Sequence, residues 1–421
     1  MRAMFAALAV PNYRIYAGGA LLSNVGTWLQ STAQAWLVLQ LTGSGTALGA
    51  TVALQLLPFL LLSPVAGLLA DRFAKRKLMV WMQFAMAVPS AVLGVLAIAG
   101  VAEPWHVYIL AFFFGTGRAL EAPARQSFIS EIVEPEHLSN AVSLNSASFN
   151  SGRLVGPGLA GLLIALLGSG VTATGWVILA NALSYGFVVI SLVLMDSSKL
   201  RPAPISPRGK GQIRDGVRYV RSRPDLVLLF SCVLVLGVFG MNFQVTSALM
   251  ATETFGKGAG EFGVLGSVLA IGSLAGALLA AGRKRPRLRF VVGAGLVFAM
   301  AQIASGLMPT YISYAAVLPL VGLAVLTTIT TANALIQMTS APAMRGRVVS
   351  LYLMVFIGSG PLGNPLIGAI GEHMGPRWAL VISGLAAGIG VSAAGLAYAR
   401  MRRISLRSVL RRRRRGPGRP S

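Results

Sequence analysis

The sequence predicts an all-α membrane protein of about twelve transmembrane helices in two pseudo-symmetric six-helix bundles, and three observations predict it. The chain of 421 residues is 55% hydrophobic, only 11% charged, and has a mean hydropathy of +0.71, too apolar for a surface bathed in water. Apolar runs of about 20 residues recur along it, each long enough to cross roughly 30 Å of hydrocarbon as a helix. The third observation is an internal repeat, described below.

The expected crossings of the first half are residues 15–40, 46–70, 78–100, 105–127, 139–168 and 172–195. Those of the second are 225–250, 259–281, 290–308, 311–336, 348–371 and 377–399. These divide the chain into an N-terminal bundle (1–195), a polar basic linker (196–224), a C-terminal bundle (225–400) and a basic tail (401–421) expected to be disordered and cytoplasmic. In the linker, Ile213, Val217, Tyr219 and Val220 alternate with Arg214, Arg218 and Arg221, which predicts a short amphipathic helix on the membrane surface. Arg2 is followed by no short apolar core with a small-residue cleavage site, so no removable signal peptide is expected.

A net charge of +24 raises the question of nucleic acid, and the placement of the charges answers it. Of the 36 Lys and Arg, 32 fall in segments that the crossings put on one side. Only Lys257 and Arg377 fall on the other, while Arg118 and Arg153 lie inside helices. This asymmetry follows the positive-inside rule and predicts both termini in the cytoplasm of a multi-pass inner-membrane protein. The run Arg411 to Arg415 and the basic loops are then expected to meet anionic lipid headgroups rather than nucleic acid.

The repeat relates the halves in detail. Gly67, Lys75 and Arg76 recur at a constant offset as Gly276, Lys284 and Arg285. The Ala122 to Arg125 segment is echoed by Ala341, Pro342, Ala343 and Arg345, and Gly156 with Pro157 by Gly360 with Pro361. Two related bundles about an axis along the membrane normal, with a cavity between them, follow.

Charges inside a membrane are costly and usually functional. Glu121 lies about one turn inside the fourth crossing with Arg118 and Arg125 on its face, and Arg153 sits near the middle of the fifth. Two readings stay open: Glu121 carries a coupling proton while an arginine binds an anionic substrate group, or the charges form a buried ion-pair network tying the fourth and fifth helices. In the first crossing Ser23, Asn24, Thr27, Trp28, Gln30, Ser31 and Gln34 fall within one half of the helix, and this polar stripe is expected to face the cavity. Asn242, Gln244, Thr327, Thr331, Asn333 and Gln337 are candidates for the opposing wall. No metal site is expected, since His106, His137 and His373 belong to different sides, and Cys232 is a lone structural thiol.

The segment Gly67, Asp71, Arg72, Lys75, Arg76 resembles the loop signature of the major facilitator superfamily, with Ala74 where a second Gly usually stands. Gly152, Gly156, Pro157 and Gly161 resemble the Gly-Pro signature of its exporter branches, with Ala160 where a Gly is often found. The stretch Pro123, Arg125, Gln126, Asn140, Asn145, Arg153, Gly156, Pro157 is similar to the branch containing enterobactin exporters and macrolide efflux pumps. The resemblance implies a monomeric, proton-driven exporter of a small organic molecule, a siderophore or drug-like compound, working by alternating access. A lysophospholipid or other lipid translocator of the same fold is the alternative. In either case Asp71 is expected to cap the eleventh helix when the cytoplasmic side closes. A polytopic enzyme is a distant third, because the 12 acidic residues are scattered without metal-binding or nucleophile-base pairing. No Gly-x4-Gly-Lys-Ser/Thr loop is present, so no nucleotide or other cofactor is expected.

Overall fold

Helix termini follow local chemistry. Pro11 opens α1 (Pro11–Thr42), where its missing N–H costs nothing, and Gly43 ends it at φ 61°, donating its own N–H to the Leu39 carbonyl. Ser44 then caps α2 (Gly45–Arg72), its hydroxyl accepting from the Ala47 N–H at 3.0 Å. The first half continues with α3 (Lys75–Ile98), α4 (Pro104–Ile132), α5 (Pro135–Leu166) and α6 (Val171–Leu194). This computed structural model describes residues 2–201, 212–283 and 286–401; the Asp71 side chain, Lys284, Arg285 and the basic tail lie outside that description.

After the linker come α7 (Gln212–Arg221), α8 (Pro224–Gly240), α9 (Phe243–Leu249) with a π-helical turn at Met250–Thr254, α10 (Ala259–Ala281), α11 (Leu288–Gly306), α12 (Tyr311–Thr339), α13 (Pro342–Gly358), α14 (Gly360–Met374) and α15 (Pro376–Met401). The amphipathic α7 packs on α13, with Gly216 against Leu351 and Asp215 3.3 Å from Arg347. Two expected crossings are broken. The seventh parts at Met241 and Asn242, where the Asn242 amide donates to the Val238 carbonyl at 2.6 Å and satisfies an acceptor the helix no longer uses. The eleventh parts at Ser359, just before Gly360 and Pro361, because proline has no N–H to continue the ladder; Ser359 donates instead to the Phe356 carbonyl. Its repeat counterpart, α5, runs through Pro157 as one helix.

Ten segments of the described chain are long and apolar enough to cross a membrane. The helices α1 and α4 are as long, 32 and 29 residues, but fall short in apolarity because they carry the polar stripe and the buried charges. Large apolar side chains such as Trp81, Leu183 and Ile312 point outward, as a lipid-facing surface requires.

Within the first half α1 packs on α5 and α6, α2 on α4, and α3 on α4 and α6; within the second α10 packs on α12, α11 on α12 and α15, and α8 on α15. The bundles meet chiefly through two pairs, α2 with α14 and α5 with α10, with smaller contacts of α2 with α13 and of α9 with α1 and α2. Exchanging the repeats converts one pair into the other, as a pseudo-twofold axis demands.

At the end of the bundles that carries Arg72, Lys75, Arg76, Arg223 and Arg347, here called the basic end, these polar fastenings run within a bundle or between a bundle and the linker. Lys75 pairs with Glu131, and Arg76 donates to the Leu192 and Val193 carbonyls and to Ser197, closing the C-terminus of α6. Asn12 exchanges two hydrogen bonds with the Asp196 backbone, while Ser198 donates twice to the Asp196 carboxylate and holds it below its ordinary range.

Candidate substrate cavity and buried charge cluster

Between the bundles lies a cavity of about 290 Å³. Its N-terminal wall is Trp28, Ser31 and Thr32 of α1, Gln55 and Leu56 of α2, Arg118 of α4, and Arg153 and Pro157 of α5. The C-terminal wall is mostly apolar, with Phe243, Phe262 and Phe356, relieved by Gln244, Ser247 and Asn364.

The end opposite the basic one is shut by helices in backbone contact. A Cβ on Gly49 would lie 2.3 Å from the Asn364 carbonyl oxygen, and one on Gly368 2.2 Å from that of Gly45. In the other pair, a Cβ on Gly161 would lie 2.4 Å from the Ala259 oxygen, and one on Gly263 2.3 Å from that of Pro157. Only glycine permits such approach. Glu372, at the end of α14, accepts from the Ser44 hydroxyl at 2.6 Å and the Thr46 N–H at 2.8 Å, so a carboxylate of one bundle caps a helix of the other. Trp36 stacks on Phe262 in the same region.

Toward the basic end α5 carries polar side chains open to their surroundings. Ser139, Ser143 and Ser146 form an exposed stripe on α5, continued by the half-buried Asn150, on the face that leads toward Arg153. A polar stripe open to its surroundings belongs in water rather than hydrocarbon. Among the described residues, the hydrogen bonds between the bundles fall at mid-depth or beyond, on the shut side: Ser44 and Thr46 to Glu372, Gln244 to the Ser31 carbonyl, Ser267 with the Gly158 N–H, and Arg153 to Ser273.

Beside the main cavity a space of about 30 Å³, room for a water molecule, holds the buried charges. Glu121 is 7% exposed; its Oε1 lies 3.7 Å from Arg125 and accepts from Gln83 of α3 at 3.4 Å. Arg125 also reaches Asn24 of α1 at 3.3 Å. The cluster therefore ties α4 to α1 and α3. The expected partner, α5, is replaced because Arg153 turns the other way, over the Trp28 ring at 5.7 Å and across the interface to Ser273. Arg118 lines both spaces and lies against Phe59 and Phe114.

The polar stripe of α1 divides between duties. Ser23, Asn24, Thr27, Trp28 and Ser31 line one space or the other. Gln30 is buried inside the N-terminal bundle, accepting from Asn181 of α6 at 2.5 Å, and Gln34 is buried away from the cavity. On the opposing side Gln244 reaches the cavity. Asn242 instead serves the helix break, Thr331 is buried within the second bundle, and Asn333 pairs with the exposed Gln337. A polar face marks hydrogen bonding between helices as readily as a wet wall, which is why these positions part company. Gly152 and Gly156 face the α1 backbone at Asn24 and Trp28, whereas Pro157 and Gly161 face α10. Gly67 is buried on α2, Arg72 is exposed, and Asp71 occupies the last turn of that helix. Nothing in the sequence marks Gln83 and Tyr185 as lining the charge cluster, Glu131 as the partner of Lys75, or Glu372 as a cap. Each pairing joins residues far apart in the chain.

The profile of the family described as Transmembrane secretion effector matches residues 2–410. The multidrug efflux pump Tap of Mycolicibacterium fortuitum is 28% identical over 85% of this chain and 88% of its own. Macrolide efflux protein A of Streptococcus pyogenes is 24% identical over 88% and 92%. The alignment with the transporter YfiS of Bacillus subtilis, also 28% identical, spans 63% of this chain and 62% of that protein, less than two thirds of its length. Among solved structures, a bacterial homologue of the lysosomal transporter Spinster in an inward-facing, unoccupied conformation superposes with a TM-score of 0.70 at 16% identity, covering 92% of this chain and 97% of that one. The resemblance drawn from the loop and Gly-Pro signatures thus holds across the chain, and this protein belongs to the transmembrane secretion effector family of major facilitator transporters.

Proposed function

We propose that this transporter is a proton-coupled exporter of a small organic molecule, caught with its cavity open to the cytoplasm. The observation that carries the reading is the interface itself: backbone contacts and the Glu372 cap shut one end, while the exposed stripe of α5 leads from the other to Arg153. With the basic end inside, as the positive-inside rule directs, this is the state that loads cargo from the cytoplasm. The chain then releases it outward when the bundles rock about their shared axis. The names of the relatives, a multidrug efflux pump and a macrolide efflux protein, favour export over uptake.

In the outward-open state, Asp71, in the last turn of α2, would cap the N-terminus of α13 at Pro342 and close the basic end. Glu121 is the proton carrier. It is the buried carboxylate beside the cavity, separated from it by Arg118, which touches both spaces. Protonation would release Arg125 from its partner and change the field at Arg118, linking the proton to the cargo.

Proteoliposomes carrying an internal pH dye test this. Compounds chosen from a thermal-shift panel should drive proton movement opposite to their own flux, and Glu121→Gln should abolish the proton movement while leaving the compounds' thermal shifts in place. Flux without proton movement in the unaltered protein overturns the coupling. Unchanged coupling in the Gln variant removes Glu121 from the role.

A further inference from the structure

The cavity carries a charge imbalance with a direct consequence for what it binds. Arg118 and Arg153 both line it, and among the described residues no carboxylate does. Glu121 is the acidic residue next to it, and its Oε1 faces Arg125 and Gln83. The other buried carboxylates among the described residues, Glu131 and Asp225, stand at the basic end against Lys75 and Arg223. Each guanidinium offers five N–H donors. Among the described residues the two together make one hydrogen bond, 3.3 Å long, from Arg153 to the Ser273 hydroxyl. Their other neighbours are rings: Trp28 under Arg153, Phe59 and Phe114 by Arg118.

Both guanidiniums are half-buried and, among the described residues, most of their donors have no protein acceptor, so an oxyanion in the cavity would engage them through paired, charge-assisted bonds. A cation entering the same space would meet two guanidiniums on its wall, with Glu121 set back beside Arg118, outside the lining, and facing Arg125 and Gln83. Across from the arginines the wall is Phe243, Phe262, Phe356, Met241 and Leu269, which rewards an apolar body. We infer that the cavity selects organic anions, molecules with a carboxylate, sulfonate or phosphate head held by Arg118 and Arg153 and an apolar or aromatic body laid against the phenylalanine wall. This inference rests on the transport reading only for the ligand's movement, not for its binding.

The test uses three probes with one body and different charges: 1-pyrenesulfonate, 1-pyrenemethanol and 1-pyrenemethylammonium. Binding to the protein in nanodiscs of zwitterionic lipid is read by energy transfer from Trp28 and Trp36, which border the cavity region. The sulfonate should bind at least tenfold more tightly than the ammonium, and Arg153→Gln and Arg118→Gln should each cut that preference severalfold while leaving pyrenemethanol binding within twofold. Equal or tighter binding of the ammonium overturns the proposal. So does a sulfonate preference that survives both substitutions, because the probe is then held elsewhere. Flux of the same probes in proteoliposomes separates the two readings: selective binding without flux of any probe leaves the anion site standing and counts against transport. Flux of the ammonium but not the sulfonate leaves transport standing and sinks the anion site.

Discussion

The two ends of the bundle interface are built from different materials. At the shut end the bundles touch through glycine-lined backbone, Gly45 and Gly49 against Asn364 and Gly368, Gly161 against Ala259, with Glu372 as the charged link. At the basic end these ion pairs and strong hydrogen bonds run within a bundle or between a bundle and the linker: Lys75 to Glu131, Arg76 to the end of α6, Arg223 to Asp225, Arg347 to Asp215. Close apolar contact between helices is weak per residue and easily remade, whereas breaking a buried ion pair is expensive. The chain therefore spends its strong interactions on keeping each bundle rigid and leaves the surface that must open held mostly by shape.

The comparison breaks most visibly at Gly49. Because even a Cβ there lies 2.3 Å from the Asn364 carbonyl oxygen, Gly49→Leu should prevent the shut end from closing. Transport should fall to background, and spin labels at Leu41 and Lys257, placed in a Cys232→Ala background, should report a separated outer end. Gly18→Leu is the control, since a Cβ at Gly18 meets nothing within 4 Å, and it should leave both readouts unchanged. A transport-competent Gly49→Leu would mean the α2 to α14 contact is not a gate.

Glu372→Gln is expected to act more gently. It keeps an acceptor for Ser44 and Thr46 but removes the charge facing the start of α2, worth about 1 kcal/mol at a helix N-terminus, or roughly fivefold in the ratio of conformers. The same label pair should show the outward-open population rising by that factor. An unchanged distance distribution would reduce Glu372 to a surface polar contact.

How far these features were legible in the sequence depends on whether they are local. The expected crossings coincide with helices to within several residues, and ten of the segments are long and apolar enough to span, since a twenty-residue apolar run needs no partner to be recognised. Arg118, Glu121, Arg125 and Arg153 stood out for the same reason: a charge in an apolar run is conspicuous wherever it points. What a charge touches is another matter. Lys75 finds Glu131 and Ser44 finds Glu372 only after helix packing and register are fixed, and Gln30 and Ser31, neighbours on one stripe, end on opposite errands. The break at Ser359 was written in Gly360 and Pro361, but α5 passes through the matching Gly156 and Pro157 unbroken, so the motif alone does not decide.

Asp71 offers the counterpart to Glu372. The proposed cap of α13 operates when the basic end is closed, so Asp71→Asn should enlarge the cytoplasm-open population, the reverse of Glu372→Gln. The expected change is about threefold at most, because the proposed cap acts in one of the two proposed states and is a single helix-terminus charge. Accessibility of a cysteine placed at Ser143, on the exposed stripe of α5, should rise accordingly. A fall would assign Asp71 to the open state instead.

The smallest effect on the conformer ratio belongs to Arg76→Gln, and its smallness is the point. Arg76 sits in the same loop signature as Asp71, yet its guanidinium is occupied by the Leu192 and Val193 carbonyls at the end of α6 and by Ser197 just beyond it, none of them in the C-terminal bundle. Removing it should leave acceptors at the end of α6 without their charged donor and lower thermal stability, by about 1–3 kcal/mol for charge-assisted bonds of this kind. Because these partners move with Arg76 when the bundle rocks, the loss is the same in both states and cancels from their ratio. The Leu41 to Lys257 distances should therefore match the unaltered protein while the unfolding midpoint drops. A shifted ratio at unchanged stability would show that the basic loop grips the opposite bundle in one of the two states, and that rigidity and gating share residues at this end after all.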